Sequence, residues 1–177
     1  AKTSEESVDM DAESTKNVIS FLNEIPYGVL TRDEKGEPKT TLNIGFVNLA
    51  DDFHVKLSAR SSNNREKEEL MDRLKTLVLR YNGSFDQYWQ SAAWEPKKDS
   101  KLRDTLMRVY EDMYGKIPAI RSTRGILECG ILCAKLPGVD CTAIGANMYD
   151  VHTSRERLDI ASVKRTWDYL LEVLKVL

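Results

Sequence analysis

The spacing of hydrophobic positions along this 177-residue chain changes period several times, and each change marks a different element. In "SVDMDAESTKNVISFLNEIP" the apolar residues Val18, Ile19, Leu22 and Ile25 recur at helical intervals, with acids at the start and Pro26 at the end, which predicts a helix. "YGVLTRDEKGEPK", carrying Gly28, Gly36 and Pro38, reads as a polar loop. Alternation takes over in "TTLNIGFVNLADDFHVKLSARSS" and breaks at Asp51-Asp52, which predicts an antiparallel hairpin. Leu42, Ile44 and Phe46 are expected on one face of its first strand, and Phe53, Val55, Leu57 and Ala59 on one face of its second. His54 is out of phase with that set and is expected to face solvent.

"SNNREKEELMDRLKTLVLRYNG" opens with an Asn/Ser cap and closes on Asn82-Gly83, the start and stop signals of a helix. "SFDQYWQSAAW" alternates aromatics and reads as a returning strand. "EPKKDSKLRDTLMRVYEDMYGK" is a polar turn followed by a helix capped at Asp99 or Ser100 and ended at Gly115. Helix, strand, strand, helix, strand is a split βαβ order with its first strand missing. Such a sheet exposes an edge and favours pairing with a second copy. Beyond Gly115, "IPAIRSTRG" reads as a short strand, "ILECGILCAKLPG" as a short buried helix, and "VDCTAIGA" as a buried strand. "DIASVKRTWDYLLEVLKVL" reads as a terminal amphipathic helix beginning near Ser162. This is the rhythm of an α/β unit, whose functional loops follow the C-termini of strands. The expected fold class is α+β: part of a split βαβ (ferredoxin-like) domain with an antiparallel sheet, followed by an α/β segment.

Charge narrows the functions. Twenty-six Lys and Arg against 28 Asp and Glu give a net charge of -2, and the two signs are interleaved, as in "NREKEELMDRLK". A nucleic-acid groove needs unanswered cationic clusters, so no nucleic-acid partner is expected. No run of about 18 apolar residues predicts a membrane span. The first residues lack the basic-then-apolar shape of a signal peptide. They also lack an initiator methionine, which fits a processed chain and an excised piece of a longer protein equally well. Cys129, Cys133 and Cys141 are an odd number in apolar surroundings, expected as buried structural thiols in a reducing, cytoplasmic compartment.

The candidate chemistry is sparse. His152 falls in a turn between a predicted strand and the last helix, either as a metal ligand or as a hydrogen-bonded surface residue. Asp150, Glu156 and Asp159 flank it and could orient its ring. Glu128, in largely apolar "GILECGIL", is expected to need a partner, either Arg124 in an ion pair or a substrate. Arg60 ends a hairpin strand, either as a bidentate clamp for a carboxylate or as a surface arginine.

Taken together, "TTLNIG", "VKLSARSSNNREKEELMDRL", "AAWEPKKDSKL", "ILECGI" and "VHTSRERLDIASVKRTWDYLLEVLK" resemble the C-terminal part of the aminoacyl-histidine dipeptidases. These belong to the zinc metallopeptidase superfamily that includes carnosinases and carboxypeptidase G, and the resemblance runs from about Asp11 to Leu177. It implies a catalytic α/β domain holding two zinc ions and an inserted split βαβ lid. Residues 1–95 would be the later part of the lid, and residues 96–177 the C-terminal segment of the catalytic domain. By the same resemblance His152 is a zinc ligand, Arg60 holds the substrate's terminal carboxylate, and Glu128 and Gly130 line the pocket.

The departures matter as much. The family's His-x-Asp motif, bridging Asp and catalytic Glu-Glu pair have no counterpart here; the histidines are His54 and His152, and Glu68-Glu69 lies on a charged helix. Arg124 falls about where the family carries a histidine before "LECG". A dinuclear zinc site needs several ligands and a base, so this chain alone is expected to be inactive. The complete enzyme would hydrolyse Xaa-His or similar dipeptides, with the N-terminal half of the catalytic domain supplied, as a cytoplasmic homodimer. A tripeptidase or deacylase of the same superfamily, or a stand-alone non-catalytic binding module, are the other readings.

Overall fold

The structure, a computed structural model, describes residues 10–95, 97–121, 123 and 127–177. Its contacts divide the chain into two compact units, one of Ala1–Glu95 with Thr123–Ile126 and the other of Pro96–Ser122 with Leu127–Leu177.

The first unit runs α1 (Ala12–Glu24), β1 (Gly28–Arg32), β2 (Pro38–Leu49), β3 (Phe53–Ser61) and α2 (Asn64–Arg80). Asp11 caps α1 by accepting the Ser14 N–H at 2.8 Å. The buried residues of this helix and its cap are Phe21 and Ile25, whereas the expected stripe members Ile19 and Leu22 are exposed. Turning the helix inward on the 18-21-25 line buries the large Phe21 ring instead of two aliphatic side chains. The segment expected as a polar loop is strand β1, paired antiparallel with β2. Three apolar or β-branched residues, Val29 to Thr31, are too few to show alternation. The turn after them is built by Asp33, whose carboxylate accepts the N–H groups of Lys35 at 2.9 Å and Glu37 at 2.8 Å, with Gly36 at φ 78.

The hairpin of β2 and β3 forms where alternation placed it, and the sheet order is β1-β2-β3. Its register shifts between Ile44 and Phe46, at Gly45. A bulge inserts one residue and reverses the facing of everything beyond it. Phe46 therefore leaves the expected inner face, where Leu42 and Ile44 pack, and stacks under the Lys56 ammonium at 5.5 Å. On β3, Phe53, Val55, Leu57 and Ala59 do alternate with exposed His54, Lys56, Ser58 and Arg60.

Helix α2 follows its caps. Asn63 accepts the Glu66 N–H at 2.9 Å, and at the far end Asn82 adopts φ 59 while the Gly83 N–H returns to the Val78 carbonyl at 3.0 Å. Leu70, Leu74 and Leu77 pack with Phe21, Ile25 and Leu42 to form the core. Residues 84–94, expected as a strand, carry no regular structure. They are held to the start of α2 instead, where the Asn64 amide side chain accepts the Ala93 N–H at 2.8 Å and Glu95 accepts the Asn64 N–H at 2.7 Å. The observed order is thus helix, three strands, helix.

The second unit contains α3 (Lys101–Tyr114), α4 (Glu128–Lys135), β4 (Met148–Tyr149), β5 (Arg157–Leu158) and α5 (Ile160–Leu174). Ser100 caps α3 through the Arg103 N–H at 3.0 Å, and Gly115 ends it at φ 65, a left-handed position that suits glycine. Leu106 and Val109 of α3 pack on Tyr169 and Val173 of α5, and the Tyr169 hydroxyl donates to the Leu106 carbonyl at 2.7 Å. The described residues of the two segments expected as strands, 117–125 and 139–146, form no strand. A buried parallel strand needs a neighbouring strand to complete its ladder, and the described residues contain no parallel strand pair. Helix α4, expected as buried, buries only Gly130; Ile131 and Leu132 are exposed. The three cysteines, expected as buried, are half-buried. The fold class is α+β with an antiparallel sheet.

Candidate functional site

The residues singled out from sequence fall in both units. His152 sits in the seven-residue loop joining β4 to β5, and its geometry is unusual. Asp150 and His152 both adopt the left-handed region, at φ 51 and φ 67. A non-glycine residue there costs roughly 1–3 kcal/mol and persists only when its surroundings fix it. Several bonds do so. Glu156 accepts the His152 main-chain N–H at 2.9 Å, and the Asp150 carbonyl accepts the Thr153 hydroxyl at 2.7 Å. The Arg157 guanidinium lies 3.4 Å from the Asp150 carboxylate and 5.5 Å from the Tyr149 ring. At the base, the Asp159 N–H donates to the Asn147 carbonyl at 3.0 Å, and the Asn147 N–H to the buried Ser162 hydroxyl at 2.8 Å. The result is a turn fixed by these bonds, with His152 exposed on it.

The three flanking carboxylates do not serve the ring as expected. Glu156 holds the backbone of His152, and Asp150 pairs with Arg157. Asp159 caps α5 through the Ser162 N–H, which together with the Arg165 guanidinium 3.4 Å away keeps its carboxyl below the usual range. They shape the loop rather than orient the imidazole. As a test of zinc, no group of three or more His, Cys, Asp or Glu among the described residues is arranged to hold a metal. One imidazole does not retain the ion, so these residues do not make a zinc site by themselves.

Glu128 and Gly130 lie in the first turn of α4. Glu128 is exposed, so the buried, partner-seeking carboxylate expected from its apolar neighbours is not what forms; an acid at a helix start is favoured by the helix dipole. Gly130 is buried. Arg124 lies outside the described residues.

Arg60 belongs to the first unit, on the outward face of β3 opposite Thr41. Among the described residues no carboxylate pairs with it. The outward positions of β2 and β3 from Thr41 to Arg60 are Thr41, Asn43, Phe46, Asn48, His54, Lys56 and Ser58, besides Arg60 itself. That face carries cations and no acid, which suits it to an anionic group.

One constellation was missed. The Glu66 carboxylate accepts the hydroxyls of Thr31 at 2.7 Å and Thr40 at 2.6 Å and pairs with the Lys39 ammonium, joining β1 and β2 to the first turn of α2. The Lys39 bond first, then those from Thr40 and Thr31, pull its pKa down to about 2. The available signal was a Glu three residues after the cap Asn63, a spacing that reads as a capping box.

No family model matches this chain. It is 28% identical over 167 residues to the cytosol non-specific dipeptidase of Escherichia coli, covering 93% of this chain and 34% of that protein. Among solved structures, the aminoacylhistidine dipeptidase of Vibrio alginolyticus matches 96% of this chain with a TM-score of 0.79 at 24% identity. The aminopeptidase PepT of Bacillus cereus matches 90% with a TM-score of 0.65 at 15% identity. The chain spans 36% and 44% of those two structures. Along nearly its whole length, then, this chain is similar to about a third of a dipeptidase.

Proposed function

We infer that this chain is the C-terminal portion of a dinuclear zinc dipeptidase acting on Xaa-His or similar dipeptides, and that it is inactive until the rest of the catalytic domain is supplied. The observation that carries the reading is the likeness over 93% of this chain to only 34% of a dipeptidase. In this reading residues 1–95 are the later part of the lid, and residues 96–177 the C-terminal segment of the catalytic domain. The exposed surface of the second unit supports it. Along α5 the residues Ile160, Val163, Trp167, Leu171 and Leu174 follow one another at intervals of three and four, all exposed, Ile160 at 84%. A soluble unit rarely leaves a stripe of that size open, and the missing part of the catalytic domain is its proposed cover.

Each residue then has a task. Arg60 takes the substrate's terminal carboxylate in its guanidinium fork. Gly130 brings backbone close to the substrate, and Glu128 lines the same pocket. His152, held out by its strained turn, offers its imidazole to the metal whose other ligands lie elsewhere in the whole protein. No described helix is long and apolar enough to cross a membrane. A cytoplasmic homodimer, joined along a free edge of the β1-β2-β3 sheet, completes the proposal.

The test is the complete protein with His152→Ala. Bound zinc is expected to fall by tenfold or more in affinity, with dipeptidase turnover lost alongside. Unchanged metal content and turnover would refute the assignment. So would unaided dipeptide cleavage by the 177-residue chain.

A further inference from the structure

Helix α2 ends on a tight reversal of the chain. Tyr81 follows its last turn, and Asn82 then adopts the left-handed region at φ 59. The Asn82 N–H donates to the Leu79 carbonyl at 3.2 Å, and the Gly83 N–H reaches back to the Val78 carbonyl at 3.0 Å. These paired bonds are the stop in which one left-handed residue turns the chain off a helix. Gly83 lies hard against Val78, since a Cβ added to it would stand 2.8 Å from the Val78 Cγ1. Val78 and Phe85, on either side of the reversal, both pack against the first core. The stop therefore sets the path by which the chain leaves α2 and returns to that core.

The same two residues carry a chemistry of their own. The γ-carbon of an asparagine can be attacked by the main-chain nitrogen of the residue that follows, closing a cyclic imide. A glycine in that place offers no side chain to obstruct the approach. Asn82 is the one asparagine of the chain that glycine follows. It is exposed, and its side-chain amide makes no hydrogen bond with a described residue. What opposes the reaction is the stop itself, because the attacking nitrogen would be that of Gly83, whose N–H is engaged by the Val78 carbonyl.

We propose that Asn82-Gly83 is a self-modification site, where Asn82 is hydrolysed to an acid once the Gly83 N–H leaves the Val78 carbonyl, and that this conversion loosens the end of α2. The Gly83 nitrogen attacks the Asn82 Cγ. The N–Cγ bond forms, the Cγ–Nδ2 bond breaks, and ammonia leaves with the proton shed by the Gly83 nitrogen. Water then opens the imide at either carbonyl. The products are aspartate and its isomer, in which the main chain runs through the former side-chain carbonyl. In sum, one amide and one water give one carboxylic acid and one ammonia. Both products weaken the stop. The isomer adds a carbon to the main chain between the two residues and carries the Gly83 N–H away from Val78. The aspartate sets a negative charge at the negative end of the α2 dipole. The reaction needs only water and is independent of the dipeptidase reading.

The experiment incubates the native chain at neutral pH, beside the same chain unfolded in urea, and follows tryptic peptides by mass. Cleavage after Arg80 and Lys97 releases the peptide that carries Asn82, and fragmentation separates conversion there from conversion at Gln87 or Gln90. A protease that cuts before aspartate but not before its isomer tells the two products apart. Asn82 is expected to convert before any other asparagine in both samples. Its native rate should lie between about tenfold and about a thousandfold below the rate in urea, the range set by local opening of a helix end. Asn82→Gly keeps a residue suited to the left-handed region but carries no amide, so it should give no such product and retain hydrogen-exchange protection at the Gly83 N–H. The converted chain should lose that protection by about tenfold or more. A native rate outside the stated range overturns the gate, and earlier conversion at another asparagine overturns the site. Unchanged protection of Gly83 in the converted chain overturns the loosening.

Discussion

Replacing Glu66 with glutamine keeps the side chain's shape and removes its charge where α2 meets β1 and β2. The carboxylate loses an ammonium partner, Lys39, and its two hydroxyl donors, Thr31 and Thr40, are left with a weaker acceptor. The fall in pKa from an ordinary 4.5 to about 2 sets the scale. Taken in full it corresponds to roughly 3 kcal/mol of folding stability. The side chain is 26% exposed, and screening by that water brings the expected loss for Glu66→Gln to about 2 kcal/mol at pH 7. The sign follows from the direction of the shift. A carboxyl whose folded pKa is depressed contributes fully above its unfolded value and loses that contribution as pH falls through the folded one. The gap between wild type and variant should therefore stay constant from pH 7 to about 5 and close between about 4.5 and 2. Urea unfolding, followed at the amide signals of Leu42 and Leu74 so that the first unit is read by itself, measures it. A gap that persists undiminished at pH 2, or one below about 0.5 kcal/mol at pH 7, would refute the reasoning.

Leu74, 1% exposed at the centre of the first core, should lose about 2–5 kcal/mol on replacement with alanine, read by the same unfolding. Arg60→Ala in the complete protein should raise KM for dipeptides about tenfold or more, with the unfolding midpoint unchanged, because the guanidinium makes no ion pair within the described residues. Arg60→Lys should recover only part of this, since an ammonium cannot grip a carboxylate in two places. A KM unchanged in both variants removes Arg60 from the substrate.

Caps and stops were the most legible part of the chain. Asn63, Ser100 and Gly115 each act where their chemistry placed them, because capping depends only on groups within a few residues. The hairpin was legible for the same reason, apart from Gly45. A glycine inside an alternating strand is a bulge signal, and reading through it put Phe46 on the wrong face. Strand β1 was illegible because its evidence is the Asp33 turn and a partner strand, not its own pattern. Among the described residues, the strands expected at 84–94, 117–125 and 139–146 do not form, from the opposite cause. Their alternation or apolar character is genuine, but a strand exists only by pairing.

What the sequence determined by itself is local: the five described helices in place, one hairpin, the cation-bearing outward strand with Arg60, and the likeness to part of a dipeptidase. Tertiary structure decided what depends on neighbours. It chose which helical face turns inward, drew Glu66 to three distant side chains, and converted the flanking carboxylates of His152 into struts of a strained turn. The physical reason is range: caps, turns and periodicity act within a few residues of chain, whereas pairing, burial and charge networks depend on residues that sequence distance does not bring together.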